Sequence, residues 1–313
     1  MKTLVLLPIK DEDWILDYTL SVFETFADHI IVADQNSSDD SLKICAKHPK
    51  VKVIKNEAIG HSNEVRWKLL EEARKIDGEN LIFCLDADEI ISQDTVEHIK
   101  KKCAEYGKGT CFSLFWIQTW KNIQTQRIDT VWGKNIKPVA FFDDRKMDYA
   151  REYVINDHTS RIPTLGIRQQ IETEYVFIHL HFAAWNRSII KQAWYRCSEL
   201  IAKPAQEKYI NYKYSNGDDT TKVLTTPMNP EWIKGITLPN ESIFETEDLL
   251  RKRQIFIWFQ TYGILFFEGL NIWHINEFRE YFIKETGRSP RVRNYSNILL
   301  YLNELRIKLK NIF

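Results

Sequence analysis

The sequence predicts an α/β protein: a doubly wound, mostly parallel sheet followed by a helical C-terminal extension. Three observations carry this. Short apolar runs alternate with segments of helical spacing over the first 115 residues, the βα order that builds a parallel sheet. The runs are continuous rather than alternating, as in strands covered on both faces. Past residue 240 the apolar residues fall into longer helical stretches rich in aromatics.

The elements follow in order. "TLVLLPI" (3–9) is a first buried strand, and "DWILDYTLSVFETFA" a helix with Trp14, Tyr18, Val22 and Phe26 four apart. "HIIVAD" (29–34) is a second strand, and the polar "QNSSDDS" after it makes a loop and helix N-cap. "SLKICAKH" forms a short helix, "VKVIKN" a third strand, and "HSNEVRWKLLEEARKI" a helix starting near Ser62. The fourth strand is "LIFCLDADEI". A helix from about Asp94 to Tyr106 and a further strand, "GTCFSLFWIQTW", come next. From 120 to 175 no period holds, which reads as short strands and long loops. "EYVFIHLHF" (174–182) is a late strand and "RSIIKQAWYRCSELIAK" (187–203) a helix. This places one domain over 1–205, with halves at 1–115 and 116–205. Residues 206–240, proline-bearing and polar, read as a linker, and 241–313 as a helical region.

Bulk composition excludes several classes. At 44% hydrophobic residues the chain supports a large core, which argues against general disorder. Lysine plus arginine and aspartate plus glutamate both number 43, so no overall positive field draws it to nucleic acid. The five cysteines are scattered, with no CxxC or Cys/His cluster; a disulfide framework or zinc site is not expected, and a reducing cytoplasm is the simplest home. "MKTLVLLPIKDEDW" runs into charge too soon for a signal peptide. "RKRQIFIWFQTYGILFFEGLNIW" holds an apolar run of about thirteen residues, short of the roughly 20 that span a bilayer. It reads as a buried core helix, with peripheral contact to an anionic membrane surface as the other reading of its Arg251-Lys252-Arg253 and aromatic content.

The chemistry gathers at strand ends. Ligands of doubly wound sheets bind beyond the carboxyl ends of the strands. Those ends carry Pro8-Ile9-Lys10-Asp11-Glu12, Asp34-Gln35-Asn36, Asn56-Glu57 and Asp86-Ala87-Asp88. Two aspartates one residue apart can converge on one divalent cation, and hard oxygen ligands favour Mg2+ or Mn2+. The same spacing also serves helix caps and surface turns. Its place after a fully apolar strand, at the fourth strand end, favours the cation.

In order and spacing, "PIKDED", "IIVADQNSSDDS", "NEAIGHSNEVRWKLLEEA" and "LIFCLDADEI" resemble the family-2 glycosyltransferases of the GT-A fold over about 110 residues. "FIHLHFAAWNRSIIKQAWYR" extends a weaker likeness, to lipopolysaccharide-core-type members, as far as about residue 200. The resemblance implies a metal-dependent, inverting enzyme that moves a sugar from a nucleotide-diphosphate donor to a hydroxyl of a glycan or glycolipid acceptor. It implies roles too. Pro8, Lys10 and Glu12 shape the base and ribose pocket, and Asp34 accepts hydrogen bonds from uracil or ribose. Arg66 reaches the diphosphate or Asp86. Asp86 contacts ribose or metal, Asp88 is the main metal ligand, and Glu89 orients its neighbours. His181, or His179 two residues before it on the same strand face, meets the metal or diphosphate. Arg187 and Lys191, at i and i+4 of a helix, contact diphosphate or acceptor. Asp157 beside His158 is the first candidate for the base, with Asp143, Asp144 and Glu172 open. Two positions depart from the family pattern: Asp11 and Trp67 stand where asparagine is usual.

Two rival readings differ in class. Phosphatases of the haloacid dehalogenase type also place DxD after an apolar strand, but there that strand opens the fold, and here three βα units precede it. A catalytically inactive GT-A protein that binds nucleotide sugars or serves as a scaffold is the other.

Overall fold

The computed structural model describes residues 1–57, 63–129, 133, 135–150, 160–218 and 220–291. Four strands form the parallel half of the sheet: β1 (Lys2–Ile9), β2 (His29–Asp34), β3 (Val51–Lys55) and β4 (Asn80–Cys84). Their apolar runs are explained by cover on both faces. Val5 and Leu7 of β1 pack on one side with Leu16, Leu20 and Phe23 of α1 (Asp13–Glu24) and Val96 and Ile99 of α4 (Gln93–Tyr106). Leu4 and Leu6 face the other side, against Leu69, Leu70 and Ala73 of α3 (Glu64–Ala73). Period-2 alternation on a doubly wound sheet requires this division. Helix α2 (Ser41–Cys45) joins β2 to β3, an edge strand whose Val53 is exposed.

The sheet has eight strands in the order β3-β2-β1-β4-β8-β6-β9-β5. Its other half consists of β5 (Glu89–Ile90), β6 (Thr110–Gln118), β8 (Ile136–Phe142) and β9 (Gln169–His179). Strand β8 runs antiparallel between β4 and β6, β9 runs parallel to β6, and β5 pairs antiparallel with β9. The sheet is therefore mostly parallel, as the sequence predicts. The run read as one fourth strand is two: β4 stops at Cys84 and the chain turns through Asp86-Ala87-Asp88. It resumes as β5 at the far end of the sheet order. Register fixes Ile9 beside Asp34, Glu89 beside His179, and Leu6 beside Cys84.

Contacts divide the chain into two units, Met1–Ala183 with Leu224–Ile243, and Ala184–Val223 with Phe244–Phe313. The division falls at Ala183/Ala184 rather than near residue 205. A short antiparallel pair, β7 (Thr125–Arg127) and β10 (Thr225–Pro227), completes the first unit. In the second unit α5 (Trp185–Ala202), α6 (Glu207–Asp218), α7 (Leu249–Tyr262) and α8 (Asn276–Thr286) surround Cys197, Ile210, Ile255, Phe259, Phe278 and Phe282. Two sequence readings are corrected here. Residues 206–240 are not one linker: they hold α6 and β10, and α6 forms because Ile210 docks in this core. Strand β9 begins at Gln169 and ends at His179, so His181 lies in the turn beyond it rather than on the strand. The apolar stretch of α7 does bury Ile255 and Phe259, as a core helix should. All five cysteines are buried free thiols.

Candidate active site

Each strand end delivers polar groups to one edge of the first unit. At the end of β1, Lys10 Nζ donates to the carbonyls of Gln35 (3.0 Å) and Asn36 (3.2 Å). Asp11 adopts φ 54°, a left-handed conformation that asparagine and aspartate tolerate best. Its Oδ1 accepts from the Ser38 N–H at 2.6 Å, while its own N–H donates to Ser37 Oγ at 3.0 Å. The aspartate found where asparagine is usual thus keeps the backbone requirement of the position. The Glu12 N–H donates to Ser41 Oγ and its Oε2 accepts from Trp14 Nε1. Pro8 lies within β1, paired with Ala33. Asp34, buried at the end of β2, accepts the Ser37 N–H with both oxygens at 3.3 Å. It is not the N-cap of α2, a position that Asp40 holds.

The β4–β5 turn holds the acids. Asp86 Oδ2 meets Arg161 Nη2 at 2.6 Å, and its Oδ1 lies 3.5 Å from Arg66 Nη2. Burial pushes the Asp86 carboxyl up, but the guanidiniums of Arg161 and then Arg66 outweigh it, and its pKa falls below the usual carboxylate value. Arg66, on α3, is buried, and its Nε and Nη1 find no hydrogen-bond partner among the described residues. Buried charged donors left in that state are costly. Glu89 is fully buried and uses both oxygens: Oε1 accepts from Trp116 Nε1 (2.8 Å) and Arg161 Nη2 (2.8 Å). Oε2 accepts from Arg161 Nη1 (2.5 Å) and the Asp86 N–H (2.9 Å).

Asp88 faces the end of β9. Its Oδ2 lies 3.3 Å from His179 Nε2 and 3.9 Å from His181 Nδ1. The two-residue strand β5 makes this meeting, since Leu180 N–H donates to the Asp88 carbonyl at 2.7 Å. The imidazoles stack on each other, with centroids 5.5 Å apart, and Trp116 stacks on His179 at 4.7 Å. His179 Nδ1 meets Gln118 Oε1 at 2.7 Å. That contact sets the ring so that Nε2 faces the Asp88 carboxylate. A carboxylate beside imidazoles is a donor pair that divalent cations take, and a hydrogen bond to the far ring nitrogen is the usual support for a ligating histidine. Among the described residues no closed group of three or more His, Cys, Asp or Glu side chains that could hold a metal ion is found. A cation at Asp88 would have to take most of its ligands from outside the described residues.

Asp143 is held bidentately by Arg74 at 3.0 and 2.8 Å, and Asp144 accepts the N–H groups of Lys146 and Met147. Glu172 is exposed on β9, seven residues before His179 and so roughly 23 Å back along the strand. Asp157 and His158 lie outside the described residues. Arg187 and Lys191 belong to α5 in the second unit, where Arg187 donates to the Glu247 carbonyl at 3.0 Å and faces Asp248 at 3.5 Å. Sequence reasoning missed Arg161, Trp116 and Gln118. Trp116 and Gln118 alternate on one strand just before the loops, a weak signal; Arg161 carries none.

Comparison with known proteins follows this geometry. A search of curated proteins finds no significant match. Among solved structures, S. aureus TarS 1-349 in complex with UDP is 21% identical, with 39% of this chain and 36% of that chain covered and a TM-score of 0.31. The same protein in complex with UDP-GlcNAc is 15% identical, covering 71% and 74% with a TM-score of 0.41. Glucosyl-3-phosphoglycerate synthase from Mycobacterium tuberculosis, in complex with Mn2+, UDP and glucosyl-3-phosphoglycerate, is 17% identical, covering 37% and 44% with a TM-score of 0.29. This chain thus spans about a third of the length of the TarS–UDP structure and about three quarters of the UDP-GlcNAc one. At these levels the likeness reaches no individual residue. The description "Glycosyl transferase family 2" matches residues 5–194, more than half of the 313. With its β3-β2-β1-β4 parallel half-sheet and acids beyond the strand ends, the chain belongs to glycosyl transferase family 2 and has the GT-A fold.

Proposed function

We propose that this protein moves a sugar from a nucleotide-diphosphate donor to a hydroxyl of a glycan or glycolipid acceptor, with inversion, in surface polysaccharide or lipopolysaccharide assembly. The observation that carries the reading is Arg66, a buried guanidinium with Nε and Nη1 unpartnered among the described residues, beside Asp86 at the carboxyl end of β4. Such a group is prepared for a diphosphate. Asp34, with only long contacts to Ser37 among the described residues, takes the ribose or base. Pro8, Lys10 and Glu12 build the neighbouring wall.

The acceptor oxygen attacks the anomeric carbon and a new C–O bond forms. The bond from that carbon to the diphosphate oxygen breaks, and its electrons leave with the nucleoside diphosphate. The hydroxyl proton passes to a general base, a role assigned to Asp157 beside His158. Asp88 and His181, with Asp86 shared, would hold a divalent cation, Mn2+ or Mg2+, whose charge offsets that of the leaving diphosphate. His179 is the alternative imidazole. A panel of nucleotide sugars with Mn2+ tests the reading. One donor should raise the melting temperature more with Mn2+ than without, and should be hydrolysed slowly when no acceptor is present. If no nucleotide sugar stabilises the protein, the reading fails; stabilisation without any turnover would leave a binding protein of the same fold.

Membrane contact is part of the proposal. No helix among the described residues is long and apolar enough to cross a membrane. Leu249, Leu250 and Ile257 of α7 and Leu265 after it are exposed, with Arg253 exposed among them. Apolar side chains beside a cation suit an anionic bilayer surface. Vesicles rich in anionic lipid should retain the protein, and Leu250→Asp with Ile257→Asp should reduce that retention several-fold. Equal partitioning of variant and wild type would exclude α7 as the contact.

A further inference from the structure

Glu89 explains a residue that no strand end supplies. Both of its oxygens receive the Arg161 guanidinium, and the indole of Trp116 and the backbone of Asp86 hold Glu89 itself. The Arg161 carbon Cζ lies 5.8 Å from the ring centroids of both Trp116 and Phe177. Arg161 is thus anchored on a fixed, buried carboxylate. Its second contact is different: Nη2 also meets Asp86 Oδ2 at 2.6 Å, and the Asp86 side chain is 38% exposed against 0% for Glu89. The contact with Glu89 is buried, whereas the Asp86 carboxylate is open to solvent.

A carboxylate cannot give the same oxygen fully to a guanidinium and to a divalent cation, because the two positive charges repel across it. We infer that Arg161 competes with the divalent cation for Asp86, and that a phosphate oxygen of the donor replaces Asp86 as the acceptor of its second Nη2 hydrogen when the donor enters. This rests on the donor chemistry proposed above. Glu89 keeps the rigid guanidinium plane seated through both Nη1 and Nη2, so only the acceptor of the second Nη2 hydrogen, now Asp86, has to change. The three acids of the turn then have separate duties: Glu89 seats Arg161, Asp86 is the exchangeable partner, and Asp88 faces the imidazoles.

The two halves of the inference have opposite signs. Removing the Arg161 charge should strengthen cation binding and weaken diphosphate binding, whereas a merely structural residue would weaken both or neither. In Arg161→Gln, Mn2+ titrated against the nucleotide-free protein and followed by electron paramagnetic resonance should bind about tenfold tighter. UDP titrated calorimetrically at saturating Mn2+ should bind about tenfold weaker. Arg161→Lys, which keeps the charge and loses the fork, should stay near wild type for Mn2+ and still weaken UDP. Because Arg161→Gln leaves Glu89 buried without its counter-ion, the paired variant Arg161→Gln, Glu89→Gln serves where the single one does not fold, with the same two shifts expected. A folded variant in which Mn2+ binds no tighter, or UDP no weaker, overturns the inference. A wild-type protein that binds no nucleoside diphosphate, with either Mn2+ or Mg2+, overturns the proposed function, and this inference with it.

Discussion

Replacing Asp88 with alanine is expected to lower donor turnover by about three orders of magnitude and to abolish the cation-dependent rise in melting temperature. A metal's charge stabilisation is worth several kcal/mol, and each ~1.4 kcal/mol is tenfold in rate. The position allows a clean test. Asp88 joins β9 through its backbone carbonyl, and β5 pairs through Glu89 and Ile90, so the turn survives loss of the side chain. What disappears is the carboxylate oxygen that faces His179 and His181. Circular dichroism should therefore match wild type while the Mn2+ response is gone. Asp88→Asn keeps the shape, removes the charge, and should fall nearly as far. If the alanine variant kept a wild-type melting response to Mn2+ with donor, Asp88 would not be the cation's ligand.

How far this site was legible in the sequence depends on how local its causes are. The four parallel strands were readable because cover on both faces demands unbroken apolar runs such as Leu4–Leu7 and Leu81–Leu85. The acids at their ends were readable because polar groups that terminate buried strands need a reason. Strand β8 was not readable: it starts half-buried at Ile136, becomes fully buried only from Val139, and follows a segment without a period. Helix α6 was missed because "EKYINYKYSNGD" contains one aliphatic residue, Ile210, and ends in poor helix formers. Tertiary packing, not propensity, decides it. In the site, the two-residue strand β5 looks like the tail of β4 until the sheet order is known, and with it the approach of Asp88 to His179. Arg161 lies 72 and 75 residues from its partners Glu89 and Asp86. No spacing rule reaches that far, so a lone arginine in an irregular segment carries no mark of its role.

Asp218→Ala should cost the second unit about 3–5 kcal/mol of stability, the range for breaking a buried ion pair by removing one partner. Arg196 on α5 is fully buried, and its Nη1 and Nη2 donate to the two oxygens of Asp218, at the end of α6, at 2.7 and 2.9 Å. Its Nε has no partner among the described residues, so the guanidinium depends on this one carboxylate. Cζ lies 5.8 Å from the Tyr214 ring centroid, a cation–π contact worth too little to replace a counter-ion. Take the carboxylate away, and a positive charge stays inside a core built of Cys197, Leu200, Ile210 and Phe259. Urea unfolding followed through the tryptophans should show the loss in the transition of this unit. The paired variant Arg196→Met, Asp218→Ala separates charge from packing: with no orphaned guanidinium left, most of the stability should return. If Asp218→Ala unfolded within about 1 kcal/mol of wild type, Arg196 would have another counter-ion or reach water. Recovery in the pair would instead show that this ion pair ties α5 to α6 without adding net stability over an apolar replacement, a specificity device in a unit whose α6 has little apolar surface of its own to define its place.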